Sequence, residues 1–139
     1  MSNTKNTNTD RLDLWNEAAD ILNLKSKLFF GGVENCEFSL EQLTHIIDIG
    51  FLLLDFKFNN SPMVKEFYEF GKRANQLGAT IIYIGFLESN YRADALLVIT
   101  GIKITNFPDS MMLAMDFAQT FHKADEFTVK PDLLRAWYD

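Results

Sequence analysis

One cysteine, three prolines and two histidines stand among 139 residues, and each scarcity removes a class of explanation. A lone thiol, Cys36, can form no intrachain disulfide, so the fold has to rest on its core. Its neighbours, Asn35 and Glu37, bring no cation to lower its pKa, and it reads as structural. The histidines, His45 and His122, fall on separate predicted helices and match no zinc spacing. Glycine-rich phosphate loops, dinucleotide fingerprints and Gly-x-Ser-x-Gly elbows are missing. No apolar run approaches the ~20 residues of a membrane-spanning helix. The densest stretch, Ile46 to Phe58, is interrupted by Asp48, Asp55 and Lys57. Basic charge is scarce as well. Thirteen Lys and Arg stand against 19 Asp and Glu, for a net charge of −6, and Lys72-Arg73 is the only adjacent basic pair. Nucleic-acid binding leaves a basic footprint that is absent here. The expectation is a cytoplasmic chain with no metal, no cofactor, and no nucleic-acid or membrane partner.

What is plentiful is apolar and aromatic surface. Apolar residues make up 47% of the chain, and 13 residues are Phe. That suffices for one packed core without a staple. Residues 1–9, rich in Asn and Thr and without an apolar leader segment, read as a solvated tail. Residues 10–139 read as a single domain. Leu12, Trp15, Ala19 and Leu22 form one apolar stripe and predict a helix from Asp10 to about Leu24, with Thr9 as its N-cap. Lys27 to Phe30 reads as a short strand closed by Gly31-Gly32, or else as the continuation of the first helix, capped by Gly31. Ser39-Leu40-Glu41-Gln42 is a capping box, and Phe38 with Leu43 adds a hydrophobic staple. The helix it starts should bury Leu40, Leu43, Ile46 and Ile47.

A rhythm follows. Gly50, Gly78 and Gly101 each close a segment of helical character, where a left-handed C′ residue is wanted. Each is followed by an apolar run: 51–58, 79–84 and 102–105. Each run ends at a helix-start signal: Ser61-Pro62, Ser89-Asn90, and Asn106 with Pro108-Asp109. Repeated this way, the pattern predicts βα units: an α/β domain with a mixed, mostly parallel sheet flanked by helices. Val64, Phe67, Phe70, Ala74 and Leu77 form the stripe of one helix. Met111, Met115, Ala118 and Phe121 form that of another, read as core. Trp137 and Tyr138 should pack back on the domain. Ligands and partners would then meet the strand ends at Asn59-Asn60-Ser61, Glu88-Ser89-Asn90 and Asn106-Phe107.

From Leu28 to about Phe121 the order of elements, with Leu52-Leu-Leu-Asp55-Phe, Lys72-Arg-Ala-Asn-Gln-Leu-Gly78-Ala-Thr-Ile-Ile-Tyr-Ile-Gly85-Phe and Ala95-Leu-Leu-Val-Ile-Thr-Gly101-Ile, resembles a STAS domain, the fold of anti-sigma-factor antagonists. The resemblance implies a non-enzymatic regulatory module of bacterial-type signalling, with an anti-sigma factor or kinase-like protein as partner. In that family the turn after the Asp-bearing strand carries a phosphorylated Ser. The matching position here is Ser61, with Asn59, Asn60, Met63 and Val64 as the implied partner surface. Asn60 stands where the family has an acidic residue, the turn is shorter, and Pro62 follows. A phosphate on Ser61 would sit at a helix N-terminus, a favourable place for an anion. Without it, Ser61 would be an N-cap with Pro62 at N1.

Two other readings use different residues. Asp55-x-Lys57 on one strand face, with Glu88, is the element of a metal-dependent hydrolase or nuclease. Residues 91–100 decide the third. Ala93, Leu96, Leu97 and Thr100 have helical spacing, but Val98-Ile99-Thr100 prefers strand. A strand there, paired with 79–86, would give an α+β, ferredoxin-like order over 51–130 and favour a small-molecule sensor. The sequence leaves oligomeric state open.

Overall fold

Ser39 decides where the first strand ends and the next helix begins. Its hydroxyl accepts the Gln42 N–H at 3.1 Å, and the Gln42 side chain accepts the Ser39 N–H at 2.8 Å, the expected capping box. Gln42 also donates to the Ile21 carbonyl at 2.8 Å, which ties this turn to the first helix. The computed structural model describes residues 8–24, 33–89, 95–108 and 111–138. Within them the elements run α1 (Asn8–Ile21), β1 (Val33–Ser39), α2 (Leu40–Asp48), α3 (Val64–Gln76), β2 (Thr80–Ser89), β3 (Ala95–Thr105), α4 (Met111–Phe121), β4 (Glu126–Lys130) and β5 (Leu133–Trp137). No helix among the described residues is long and apolar enough to cross a membrane.

The sheet corrects the expected architecture. Its five strands lie in the order β1-β2-β3-β5-β4, and every neighbouring pair is antiparallel. The domain is therefore α+β, not a mostly parallel α/β fold. The ferredoxin-like order expected over 51–130 is absent too, because 51–58 is no strand. Gly101 is the reason the rhythm misled. It closes no helix but lies inside β3, which runs through Val98-Ile99-Thr100 as β-branched residues favour. A Cβ on Gly101 would meet the Ala136 carbonyl oxygen at 2.9 Å and the Trp137 ring at 2.9 Å. Close approach of another strand therefore demands this glycine. Gly50 and Gly78 do hold the left-handed conformation, at φ 85° and 89°, just past the caps of α2 and α3.

Residues 51–58 form an irregular connection rather than a strand. Phe51 and Leu52 are buried, while Leu53 and Leu54 are exposed. The carbonyls of this segment serve the next helix instead of a ladder: Val64 N–H donates to Phe56 at 2.9 Å and Lys65 N–H to Leu54 at 2.8 Å. They thus satisfy the N–H groups that a helix start leaves free.

The helices pack on one face of the sheet around a single core. Phe67, Phe70, Phe117, Phe121, Phe38 and Tyr83 are fully buried there. Phe67 is the hub. Its ring meets Tyr83 edge-on at 6.4 Å, Phe121 stacked at 5.5 Å and Tyr138 edge-on at 6.1 Å, and its carbonyl accepts the Tyr83 hydroxyl at 2.9 Å. Several expected stripes are corrected in detail. α1 begins at Asn8, inside the expected tail; Trp15, Ala19 and, just past its end, Leu22 are buried as expected, joined by Ala18, while the Leu12 side chain lies outside the described ones. Leu77 is exposed. On α4 the buried face is Leu113, Phe117 and Phe121, and Met111 and Met115 face solvent. Burying two phenylalanines outweighs burying two methionines. The strand expected at 27–30 and residues 1–7 of the expected tail lie outside the described residues.

Candidate functional site

Because the helices share one face, the opposite face of the sheet carries half-buried apolar side chains. Ile82, Ile84 and Phe86 alternate along β2 with the buried Ile81, Tyr83 and Leu87, as a strand dictates. Opposite them on β1 stand Glu37, facing Ile84, and Asn35, facing Phe86. The ladder between β2 and β3 slips at Ile84/Gly85, a bulge that bends the sheet locally. Beside it Trp137 of β5 lies across Gly101. Ile84, Gly85 and Phe86, with Phe58 from the 51–63 connection, line an open hollow of about 660 Å³ whose wall also includes Asn35, Glu37, Thr100, Trp137 and Tyr138. Phe58 meets Phe86 edge-on at 5.9 Å. Tyr138 is anchored by its N–H on the Thr100 carbonyl at 2.7 Å. A hollow of this size with aromatic walls and few polar groups is what small ligands occupy. Among the described residues of its lining, Glu37 is the one ordinarily charged side chain.

The neutral groups in and beneath the hollow stay neutral over a wide pH range. Burial, then Glu34, pushes the Cys36 thiol up to about 12. Burial, then Glu66 and Asp125, pushes the Tyr138 phenol up to about 12. Burial, then Tyr68, raises the Tyr83 phenol as well. These groups ionise more readily in the unfolded chain, so their contribution is intact below the ordinary thiol and phenol values and lost as pH rises past them. Folding stability is expected to fall steadily above about pH 9, by up to about 1.4 kcal/mol per pH unit for a fully buried phenol such as Tyr83, and the urea midpoint falls with it. A midpoint that stays flat through this range in equilibrium melts would contradict that burial.

The residues singled out from the sequence fall elsewhere. Asn59, at φ 51°, and Asn60 are exposed on the turn before α3. Ser61 is only 3% exposed, and its hydroxyl donates to the Phe58 carbonyl at 2.6 Å. It is not the N-cap of α3. Met63 holds that position, and its N–H donates to Glu66 at 3.0 Å. Met63 is partly exposed, whereas Val64 is core. Asn60 and Ser61 do border a second concavity, a polar groove of about 450 Å³ between the turn, α3 and the end of α4. Lys57, Glu66, Glu69, Arg73, His122 and Lys123 also line it. Arg73 is held by Asp116 through two bonds of 2.7 and 2.9 Å. This bond, then the Asp116 and Glu69 charges, raises the guanidinium pKa against the opposing effect of burial.

The metal-site reading loses its geometry. Asp55 and Lys57 lie on an irregular connection and are both exposed, so no strand aligns them on one face. Among the described residues no group of three or more His, Cys, Asp and Glu is placed to hold a metal. His45 is exposed on α2 and His122 on the turn just past α4, with His122 Nδ1 3.0 Å from the Gln119 carbonyl. The three expected strand ends do not converge either. Thr80 pairs with Thr105 and Ser89 with Ala95, so Glu88 and Asn106 mark opposite ends of an antiparallel pair.

The hollow itself was missed. One local signal pointed to it: Gly85-Phe86 interrupts an alternating strand, and a glycine inside a strand marks a bulge or a close approach. No protein-family model, no curated protein and no solved structure matches the chain.

Proposed function

We propose that the chain is a non-catalytic, small-molecule-binding sensor module whose ligand sits in the hollow on the face of the sheet opposite the described helices. The observation that carries this reading is the hollow at the Gly85 bulge, with Phe58, Phe86 and Trp137 as walls and Asn35 and Thr100 as polar groups. Flat aromatic walls suit a flat ligand. Glu37 in the lining, on a chain of net charge −6, favours a neutral or cationic molecule over an anion. Indole, tryptamine and indole-3-acetate probe this directly by backbone NMR titration. Amide shifts are expected to converge on Asn35–Glu37, Ile84–Phe86, Thr100 and Trp137–Tyr138. Tryptamine should bind tighter than indole-3-acetate, and Glu37→Gln should narrow the difference. Shifts scattered over the surface would sink the reading.

The polar groove supports a second reading, a regulatory interaction module that docks a protein partner on Asn59, Asn60 and Met63. The groove runs beside these residues and offers charges of both signs. A phospho-acceptor role for Ser61 requires the 58–61 turn to open, because the hydroxyl is buried and bonded.

A further inference from the structure

β1 and β4 are the edges of the sheet, and an exposed edge is a template for another strand. Among the described residues no strand pairs with the outer side of β4. Its sequence, Glu126-Phe127-Thr128-Val129-Lys130, is complementary to itself when reversed. Antiparallel pairing of two copies about Thr128 sets Glu126 against Lys130 of the second copy, Phe127 against Val129, and Thr128 against Thr128. The same operation on β1 about Cys36 sets Glu34 against Phe38 and Glu37 against Asn35, with no such complement.

The backbone has the matching parity. β4 and β5 form a hairpin closed at Lys130↔Leu133. Its hydrogen-bonded pairs are Lys130↔Leu133, Thr128↔Arg135 and Glu126↔Trp137, as in any two-residue hairpin. Phe127 and Val129 therefore turn their N–H and C=O groups to the free edge. In the self-pairing about Thr128 these are the residues that face each other and exchange hydrogen bonds.

The side chains agree. Phe127 and Val129 are 41% and 47% exposed on the helix side of the edge, where Phe127 stacks on Phe117 at 5.6 Å. α4 continues the apolar surface. Asp116 ties one flank of α4 to α3 through Arg73, and helical spacing puts Met111, Met115 and Ala118 on the other flank. Met111 and Met115 are exposed. Adaptable methionine surfaces are common at contacts between proteins.

We infer that the chain forms a two-fold symmetric homodimer by antiparallel β4–β4 pairing centred on Thr128, extending the sheet across both copies. Phe127, Val129 and the methionines of α4 close over the joint on the helix side. On the other side Glu126, already 2.7 Å from Arg135 of its own chain, meets Lys130 of the second copy. The symmetry is isologous, so the assembly closes at two copies and does not propagate through this edge.

Sedimentation velocity of the full chain over micromolar concentrations tests this. The wild type should show a concentration-dependent dimer. Lys130→Glu places like charges opposite Glu126, and Glu126→Lys does the same with Lys130. Each should weaken the dimer by roughly tenfold or more, with unchanged far-UV circular dichroism. An equimolar mixture of the two variants should dimerise again, because only the mixed pair is complementary. Independently, Thr128→Cys should form an intermolecular disulfide on oxidation, with the native Cys36 buried. A wild type that is monomeric throughout overturns the inference. So does a dimer indifferent to Lys130→Glu, or a Thr128→Cys chain that yields no cross-linked dimer.

Discussion

Replacing Phe67 with alanine is expected to cost about 3–5 kcal/mol of folding stability. The ring is 1% exposed and touches Tyr83, Phe121 and Tyr138, so its removal leaves a cavity between α3, β2, α4 and the C-terminal segment. Those walls come from four parts of the fold and cannot all close in together. Against a total of about 5–15 kcal/mol for an ordinary domain, the variant stands near the limit of folding. Urea denaturation should show a lower midpoint with little change in slope. A loss below about 1 kcal/mol would mean that the site collapses freely and that Phe67 is no hub.

Gly85→Ala should cost about 3 kcal/mol, the upper end for overpacking. A Cβ there would run into the Val98 carbonyl oxygen and lie 3.1 Å from its carbon. The obstruction is backbone, so no rotamer change relieves it, and β2 and β3 must separate at the bulge. Gly50→Ala makes the contrast. A Cβ at Gly50 meets nothing within 4 Å, and only its φ of 85° resists, at roughly 1–2 kcal/mol. Thermal melts of both variants decide the order. If Gly85→Ala is the milder of the two, the close strand approach at the bulge is wrong, and with it the shape of the hollow.

The features legible in the sequence were those whose causes are local. Ser39 and Gln42 announce their own capping box, and Gly50 and Gly78 announce the left-handed ends of their helices. Val64, Phe67, Phe70 and Ala74 repeat at helical spacing because one face of α3 is buried. What failed depended on partners distant in the chain. Gly101 looks like any other C′ glycine until Trp137 and the Ala136 carbonyl are laid across it. Phe51 to Phe58 is apolar enough for a strand, yet its carbonyls are used by the start of α3. Met111 and Met115 share a helical spacing with Phe121, but the heavier face through Leu113 and Phe117 took the core. Beyond the interruption at Gly85, the hollow has no local signature for the same reason, since β1, β2, β3, β5 and the 51–63 connection each supply part of its lining.

That connection has a consequence for how such a chain can diverge. Lengthening an irregular segment adds only roughly 0.6 kcal/mol of closure entropy per doubling, so insertions there cost the fold little. Phe58 walls the hollow, and Asn60 and Ser61 border the polar groove, so the same insertions would reshape both concave surfaces together. Descendants of this sequence could thus drift widely in what they recognise while β1 to β5 and the phenylalanine core stay as they are.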